Sequence, residues 1–182
     1  MIFKEKKIIL KNGKTAILKS PDAENAEELL HFVIQACGET EYLLRYPEEY
    51  NMSVEQEEVW INGSLTSPSD MNITCFVDGR IAGNCGIHFR RDIKTSHRAT
   101  VDIAILKEFW NLGIGSAMFK ELISTARERG TEIIEIEFIE GNERAKVLYE
   151  KFGFKVVCER PNVIKLKDGT YLKDFYMQKY LK

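Results

Sequence analysis

The sequence predicts a mixed α/β (α+β) domain: a central mixed β-sheet with helices on both faces. Three observations carry that expectation. Two stretches in the first half are apolar runs broken by Asn-Gly and Asp-Gly, the two-residue turns that favour β-hairpins. A β-rich run, TVDIAIL (100–106), leads through a glycine turn into an amphipathic stretch and then into EIIEIEFI (132–139), the order of a strand–helix–strand crossover. The last third continues as helix, strand, strand.

The elements follow in chain order. IILKNGKTAIL (8–18) reads as a hairpin turning at Asn12-Gly13. SPDAENAEELLHFVIQAC (20–37) reads as a helix, with Pro21 suited to the first turn and Ala26, Leu29, Leu30, Val33 and Ile34 recurring on one face. Residues 38–52 read as a loop. SVEQEEVWINGSL (53–65) opens with Ser53 and Gln56 at capping-box spacing, which predicts a second helix. ITCFVDGRIAGNCGIHF (73–89) reads as a hairpin turning at Asp78-Gly79, and 90–98 as a charged connection. Ile114, Met118, Leu122, Ile123 and Ala126 are at helical spacing in 114–129, with Gly130 as the stop. NERAKVLYEKF (142–152) is a short helix capped by Asn142 and stopped by Gly153, and strands follow at 155–160 and 170–181.

At 182 residues the chain suits one domain, 1–182, with room for a real core. It is 44% hydrophobic and 30% charged with a net charge of −2, so it has no nucleic-acid footprint. No apolar run approaches a membrane span, and the start has no apolar core of a secretory signal. Cys37, Cys75, Cys85 and Cys158 show no CxxC spacing, which fits reduced thiols and a cytoplasmic location. His31, His88 and His97 form no ligand motif, so no metal is expected.

The strand, glycine turn and helix around NLGIGS (111–116) are a physical recipe for binding phosphate. N–H groups at a helix start have no intrahelical partner, point outward and carry partial positive charge. Glycines let the main chain come close to a ligand. Two familiar phosphate loops fit badly. A Walker loop needs Lys-Ser/Thr after its last glycine, whereas Gly115 is followed by Ser116-Ala117. A dinucleotide fingerprint needs a third Gly or Ala, and position 118 is Met.

The turn gains meaning from the segment after it. AILKEFWNLGIGSAMFKEL (104–122) resembles the first signature of the GNAT superfamily of acyl-CoA-dependent N-acetyltransferases: a strand, then Arg/Gln-x-x-Gly-x-Gly/Ala, then a helix. EIEFIEGNERAKVLYEKFGF (135–154) resembles the second, with Asn142, Ala145, Tyr149, Gly153 and Phe154 at the matching places. The resemblance runs from about residue 73 to the end and is weaker over 1–72. One departure stands out: the family's Arg or Gln before the glycines is Trp110, which removes a side-chain donor to phosphate and leaves Trp110 to pack or to lie against the cofactor.

The resemblance implies the GNAT fold and acetyl-CoA as cosubstrate. It places the main chain of Ile103, Ala104 and Ile105 along the pantetheine arm. The turn of Trp110, Asn111, Leu112, Gly113, Ile114, Gly115 and Ser116 takes the pyrophosphate, and Asn142, Ala145 and Tyr149 lie along the cofactor. Tyr149 would then stand near the thioester sulfur, as acid or hydrogen-bond donor to the leaving thiolate. An amine must also lose a proton. Glu135 and Glu137 share one face of a strand, and Glu137 lies nearer its C-terminal end, where ligands collect in α/β sheets. Glu137 is the first candidate base, and relatives carry a glutamate at this place. Asp102 on the cofactor strand is the second. His97 could line the site, and His88 reads as structural.

The family's acceptor pocket lies between the first two helices and the last hairpin. Glu39, Glu41, Glu48, Glu49, Glu55, Glu57 and Glu58, against Arg45 alone, suggest an acidic rim for a cationic amine, or simply a solvated face. Tyr42 and Tyr46 could supply aromatic walls. The expected activity is transfer of acetyl to a small-molecule primary amine such as an amino acid or polyamine, without nucleic-acid or membrane partners; a homodimer is left open. The alternatives are protein amino-terminal or lysine acetylation, and a non-catalytic acyl-CoA sensor. A nucleotide-binding dehydrogenase is a distant third.

Overall fold

Both turns of the first half reverse the chain in the computed structural model, which describes residues 1–181. Strands β1 (Lys6–Ile9) and β2 (Thr15–Lys19) pair antiparallel, as do β3 (Asp70–Val77) and β4 (Arg80–Phe89). Asp78 and Gly79 both have positive φ, at 50° and 81°, the geometry whose twist matches a hairpin. With β5 (Arg98–Ile105), β6 (Ile133–Ile139), β7 (Lys155–Lys165) and β8 (Tyr171–Tyr180), they form one sheet in the order β1-β2-β3-β4-β5-β6-β8-β7. All neighbours are antiparallel except β5 and β6, the parallel pair that a helical crossover requires.

Four helices accompany the sheet: α1 (Ala26–Glu39), α2 (Val54–Thr66), α3 (Ile114–Glu128) and α4 (Glu143–Lys151). The capping box of α2 forms: Ser53 Oγ accepts the Gln56 N–H (3.3 Å), and the Gln56 side chain accepts the Ser53 N–H (2.9 Å). The helix expected over 20–37 begins later. Asn25 reaches back to accept the Asp22 N–H (3.2 Å), so the chain makes a single 3-10 turn at 23–25, and Pro21 lies outside the helix. The helix also runs to Glu39, and a second 3-10 turn at 47–49 interrupts the expected loop.

Two-residue periodicity divides the sheet into unlike faces. Ile134, Ile136 and Phe138 of β6 are buried with Met118, Phe119 and Leu122 of α3, while Glu135 and Glu137 point the other way. Polar residues recur on that second face: Asp70 and Asn72 on β3, Asn84 and His88 on β4, Thr100 and Asp102 on β5.

The feature that makes a site is a failure of pairing. β5 and β6 pair only from Arg98–Thr100 with Ile133–Glu135. Beyond that, β5 stays with β4 through Ile105, and β6 stays with β8 through Ile139. The two strands part, and the β5 edge at 101–105 faces a wedge between them.

Candidate active site

A cleft of about 1130 Å³ fills this wedge and extends over the start of α3. Chain geometry builds one end of it. After β5, Asn111 (φ 64°) and Gly113 (φ 98°) both take left-handed conformations, which a glycine adopts without steric cost. α3 then begins at Ile114 with its first N–H groups lacking intrahelical partners. Gly115 allows a close approach: a Cβ there would come within 3.0 Å of Leu148 and 3.3 Å of Ile105.

Cations gather at this end. Lys11, Arg144 and Lys151 all line the cleft. Arg144 donates to the Asn111 side chain (2.8 Å) and lies 4.1 Å over the Trp110 ring; Lys151 donates to Ser116 Oγ (2.9 Å). Trp110 is itself pinned by its indole N–H to the Ile105 carbonyl (2.7 Å). A guanidinium from α4 thus lies over the Trp110 ring, beside the turn where position 110 itself carries none. Backbone N–H groups, left-handed turns and three cations suit a polyphosphate group. Leu112 differs from the other expected turn residues: it does not line the cleft, and its carbonyl accepts the Lys11 N–H (3.0 Å), tying the turn to the first hairpin.

Ile103, Ala104 and Ile105 line one side of the wedge, and Asn142, Ala145 and Tyr149 the other. Asn142 caps α4 by accepting the Ala145 N–H (3.1 Å), which sets the helix's start and turns these three positions to one face. The Tyr149 ring packs against Phe119 (5.2 Å), Phe138 (6.2 Å) and Phe154 (6.2 Å). Burial, with the nearby negative charge of Asp102, raises its phenol pKa well above the usual value. Tyr149 is therefore a neutral donor.

Three of the carboxylates that line the cleft, Glu135, Glu137 and Asp102, stand in different settings. Glu135 is buried and held by Arg98 Nε (2.7 Å), Tyr176 and Gln178 (3.2 Å). Glu137 is half-exposed and pairs with Arg160 (2.6 Å), whose Nε also reaches Asp174 (2.8 Å). Asp102 is bound by His88 (2.8 Å), whose other ring nitrogen meets Asp70 (2.8 Å). His88 is thus in contact with a site residue. Strand alternation of polar among apolar residues was the available signal, and it becomes readable only with the strand register. His97 does not line the cleft; its carbonyl accepts the Glu132 and Ile133 N–H groups.

Phe32, Val33, Cys37, Tyr42, Leu43 and Tyr50 wall the part of the cleft where the acceptor is expected. Tyr42 donates to the Gly141 carbonyl (3.0 Å). Tyr46 does not form a wall: its hydroxyl accepts the Lys167 N–H (3.1 Å) on the last hairpin, and Tyr50 takes that role. Burial and a hydrogen bond with Cys37 push the Tyr50 phenol up to about 12. The acidic rim is dispersed. Glu39 accepts the Lys107 N–H (2.6 Å), Glu48 pairs with Lys167, Glu49 accepts the Tyr46 N–H (2.6 Å) and Glu57 is buried; of the seven, Glu39 alone lines the cleft. Orphan N–H groups and a lysine have taken the carboxylates that composition alone would leave for an amine.

Known proteins share this fold. The family model described as Acetyltransferase (GNAT) family matches residues 36–154. The L-amino acid N-acetyltransferase AaaT of Escherichia coli K12 is 24% identical over 136 residues, covering 72% of this chain and 83% of that protein. Among solved structures, a GNAT-family acetyltransferase from Streptococcus pneumoniae superposes with a TM-score of 0.85 at 23% identity, over 91% of this chain and 99% of that one. A Salmonella typhimurium acetyltransferase solved with its cofactor acetyl-CoA gives 0.77 at 16% identity, over 91% and 93%.

Proposed function

The chain belongs to the acetyltransferase (GNAT) family, and on that premise we propose that it moves an acetyl group from acetyl-CoA to the primary amine of a small metabolite, by direct attack in a ternary complex. The observation that carries this reading is the wedge between β5 and β6. One end gathers helix-start N–H groups and cations that suit phosphate, and the cleft is also lined by the Tyr149 phenol and by Asp102, Glu135 and Glu137. The amino-acid acetyltransferase relative and the walled acceptor end favour a small acceptor over a peptide.

Acetyl-CoA, when bound, supplies an activated acetyl thioester. The 111–116 turn, Lys11, Arg144 and Lys151 hold its phosphates, and the edge of Ile103–Ile105, where β6 has parted from β5 and Trp110 already donates to the Ile105 carbonyl, pairs with the pantetheine arm as an added strand. Asn142 and Ala145 flank it. Tyr149 donates a hydrogen bond to the sulfur as negative charge develops there. Its raised pKa, against about 8.5 for a thiol, favours that hydrogen bond over full proton transfer. Glu137 receives the proton the amine loses, through water. Cys37 lines the cleft, but burial raises its thiol pKa, which argues against an acyl-enzyme.

The test is a thermal shift with acetyl-CoA, CoA and NADH, followed by thiol release with the L-amino acids and polyamines. Acetyl-CoA at about 100 times its dissociation constant stabilises by about 2.7 kcal/mol, or roughly 5–10 °C for this size. A shift with NADH alone, or acetyl-CoA binding without thiol release from any of these amines, overturns the reading. Release with peptide amines only would favour protein acetylation, and none at all a sensor. In the same assay Glu137→Gln loses most rate at the acidic end, where free amine is scarcest; an unchanged pH profile removes Glu137 from the role. Arg144→Ala weakens acetyl-CoA binding about 5–10-fold by calorimetry, less at high salt. An unchanged affinity would leave Arg144 as a surface contact of Trp110.

A further inference from the structure

Asp102 is not free at the cleft. Its Oδ2 meets His88 Nε2 at 2.8 Å, and His88 Nδ1 meets Asp70 Oδ1 at 2.8 Å. Each ring nitrogen faces a carboxylate, so the imidazole is fixed in orientation and favoured in its doubly protonated form. Two carboxylates around one imidazolium leave one net negative charge at the wall of the cleft, and the second oxygen of Asp102 is not used by His88.

The strand between them is built around this contact. Gly86 is opposite Asp102 in the β4–β5 register, and His88 lies two residues along β4. A Cβ on Gly86 would come within 2.8 Å of Asp102 Oδ2, 3.0 Å of His88 Nε2 and 3.0 Å of Asn72 Oδ1. Gly86 is not among the positive-φ glycines, so its backbone conformation does not demand glycine. A glycine inside a strand costs stability and marks a close approach. Here the approaching group is the Asp102–His88 hydrogen bond.

Stability accounts for only part of the arrangement. The Asp102 side chain is 61% exposed and lines the cleft, and ion pairs at such exposure add little. We propose that His88 is a positioning residue, seated through Gly86 and Asp70, that aims the Asp102 carboxylate to hold the ammonium group of the acceptor beside the acetyl-binding end of the wedge. The proposal rests on the acetyltransfer reading above. It gives the acceptor end a single clamped anion in place of the dispersed acidic rim.

The groups around His88 agree with this. The hydrogen bond to Asp102, with that to Asp70, outweighs burial and raises the ring's pKa to about 9. Asp70 falls to about 2: burial opposes this, but donors on Ser67, His88 and Ser69 prevail. Arg91 stands 3.8 Å from Asp70, and the chain's amino terminus donates to the Asp70 carbonyl (2.8 Å). On the cleft side, Tyr149 feels the Asp102 charge.

The test is steady-state thiol release by the full chain with acetyl-CoA and the L-amino acids and polyamines, comparing wild type with Asp102→Asn, His88→Ala, Gly86→Ala and the His88→Ala/Asp102→Asn double variant. Asp102→Asn and His88→Ala are expected to raise KM for the amine about ten- to hundredfold, with the KM for acetyl-CoA unchanged. The double variant should match Asp102→Asn alone, because His88 acts through Asp102. Gly86→Ala should reproduce the His88→Ala effect with both side chains still present. An unchanged amine KM in His88→Ala, losses that multiply in the double variant, or an equal rise in the acetyl-CoA KM would each overturn the proposal. If wild type turns over none of these amines, the acetyltransfer reading fails and this one fails with it. Turnover with an unchanged amine KM sinks the clamp alone. His88 and Asp102 are partly exposed, and Gly86→Ala is a second, independent way to break the contact without removing either.

Discussion

Tyr149→Phe is expected to lower kcat about 100-fold while leaving the melting shift produced by acetyl-CoA in place. The substitution keeps the ring and its packing against Phe119, Phe138 and Phe154, so the core on that side of the wedge is undisturbed. The change removes the hydroxyl of a buried residue that lines the cleft. One preorganised donor to developing negative charge in a dry site is worth about 10²–10³ in rate. Because burial and Asp102 raise the phenol pKa, Tyr149 stays a donor throughout the neutral range and adds no alkaline limb to the wild-type profile there. The measurement is kcat by thiol release beside a thermal shift with acetyl-CoA. A kcat within about threefold of wild type would make Tyr149 a packing residue only, far short of the effect of a lost donor.

Arg98→Ala is expected to be the most damaging change to the fold next to the site. The Glu135 side chain is 2% exposed, and Arg98 supplies its charged partner. With arginine gone, Tyr176 and Gln178 still donate, and Arg90 stands 3.9 Å away, but the charge is poorly compensated. Breaking a buried pair by removing one member costs about 3–5 kcal/mol. Arg98 is itself a third exposed, which puts this case near the lower end, at about 3 kcal/mol. That corresponds to a melting point roughly 6–12 °C lower. Adding Glu135→Gln should recover part of the loss, since the uncompensated charge goes with it. A single variant melting within about 2 °C of wild type would mean that Glu135 is solvated rather than buried.

These two residues differ in how far they can be read in advance. Tyr149 was legible because its motif is local: Asn142, Ala145 and Tyr149 lie on one helix face by spacing alone, and Asn142 caps that helix as a local rule predicts. The 111–116 turn was legible for the same reason. Glu135 and Glu137 share one strand face in sequence, and closeness to the strand's C-terminal end was the one signal that favoured Glu137. The fold separates them: Glu135 is opposite Thr100 where β5 and β6 still pair, and Glu137 is beyond the point where they part. The late start of α1 was missed because Asn25 competes for the Asp22 N–H, a local alternative to the helix that Pro21 seemed to open.

Local sequence by itself determined the strands, the hairpins, the crossover and the glycine turn before α3. Each depends on turn chemistry, periodicity or capping within a few residues. Tertiary structure alone decided that Arg144 lies over Trp110, that Glu39, Glu48 and Glu49 satisfy backbone and lysine donors, and that His88 meets Asp102 above Gly86. Most of these contacts join residues far apart in the chain, and they depend on strand register and helix placement, which no local pattern encodes.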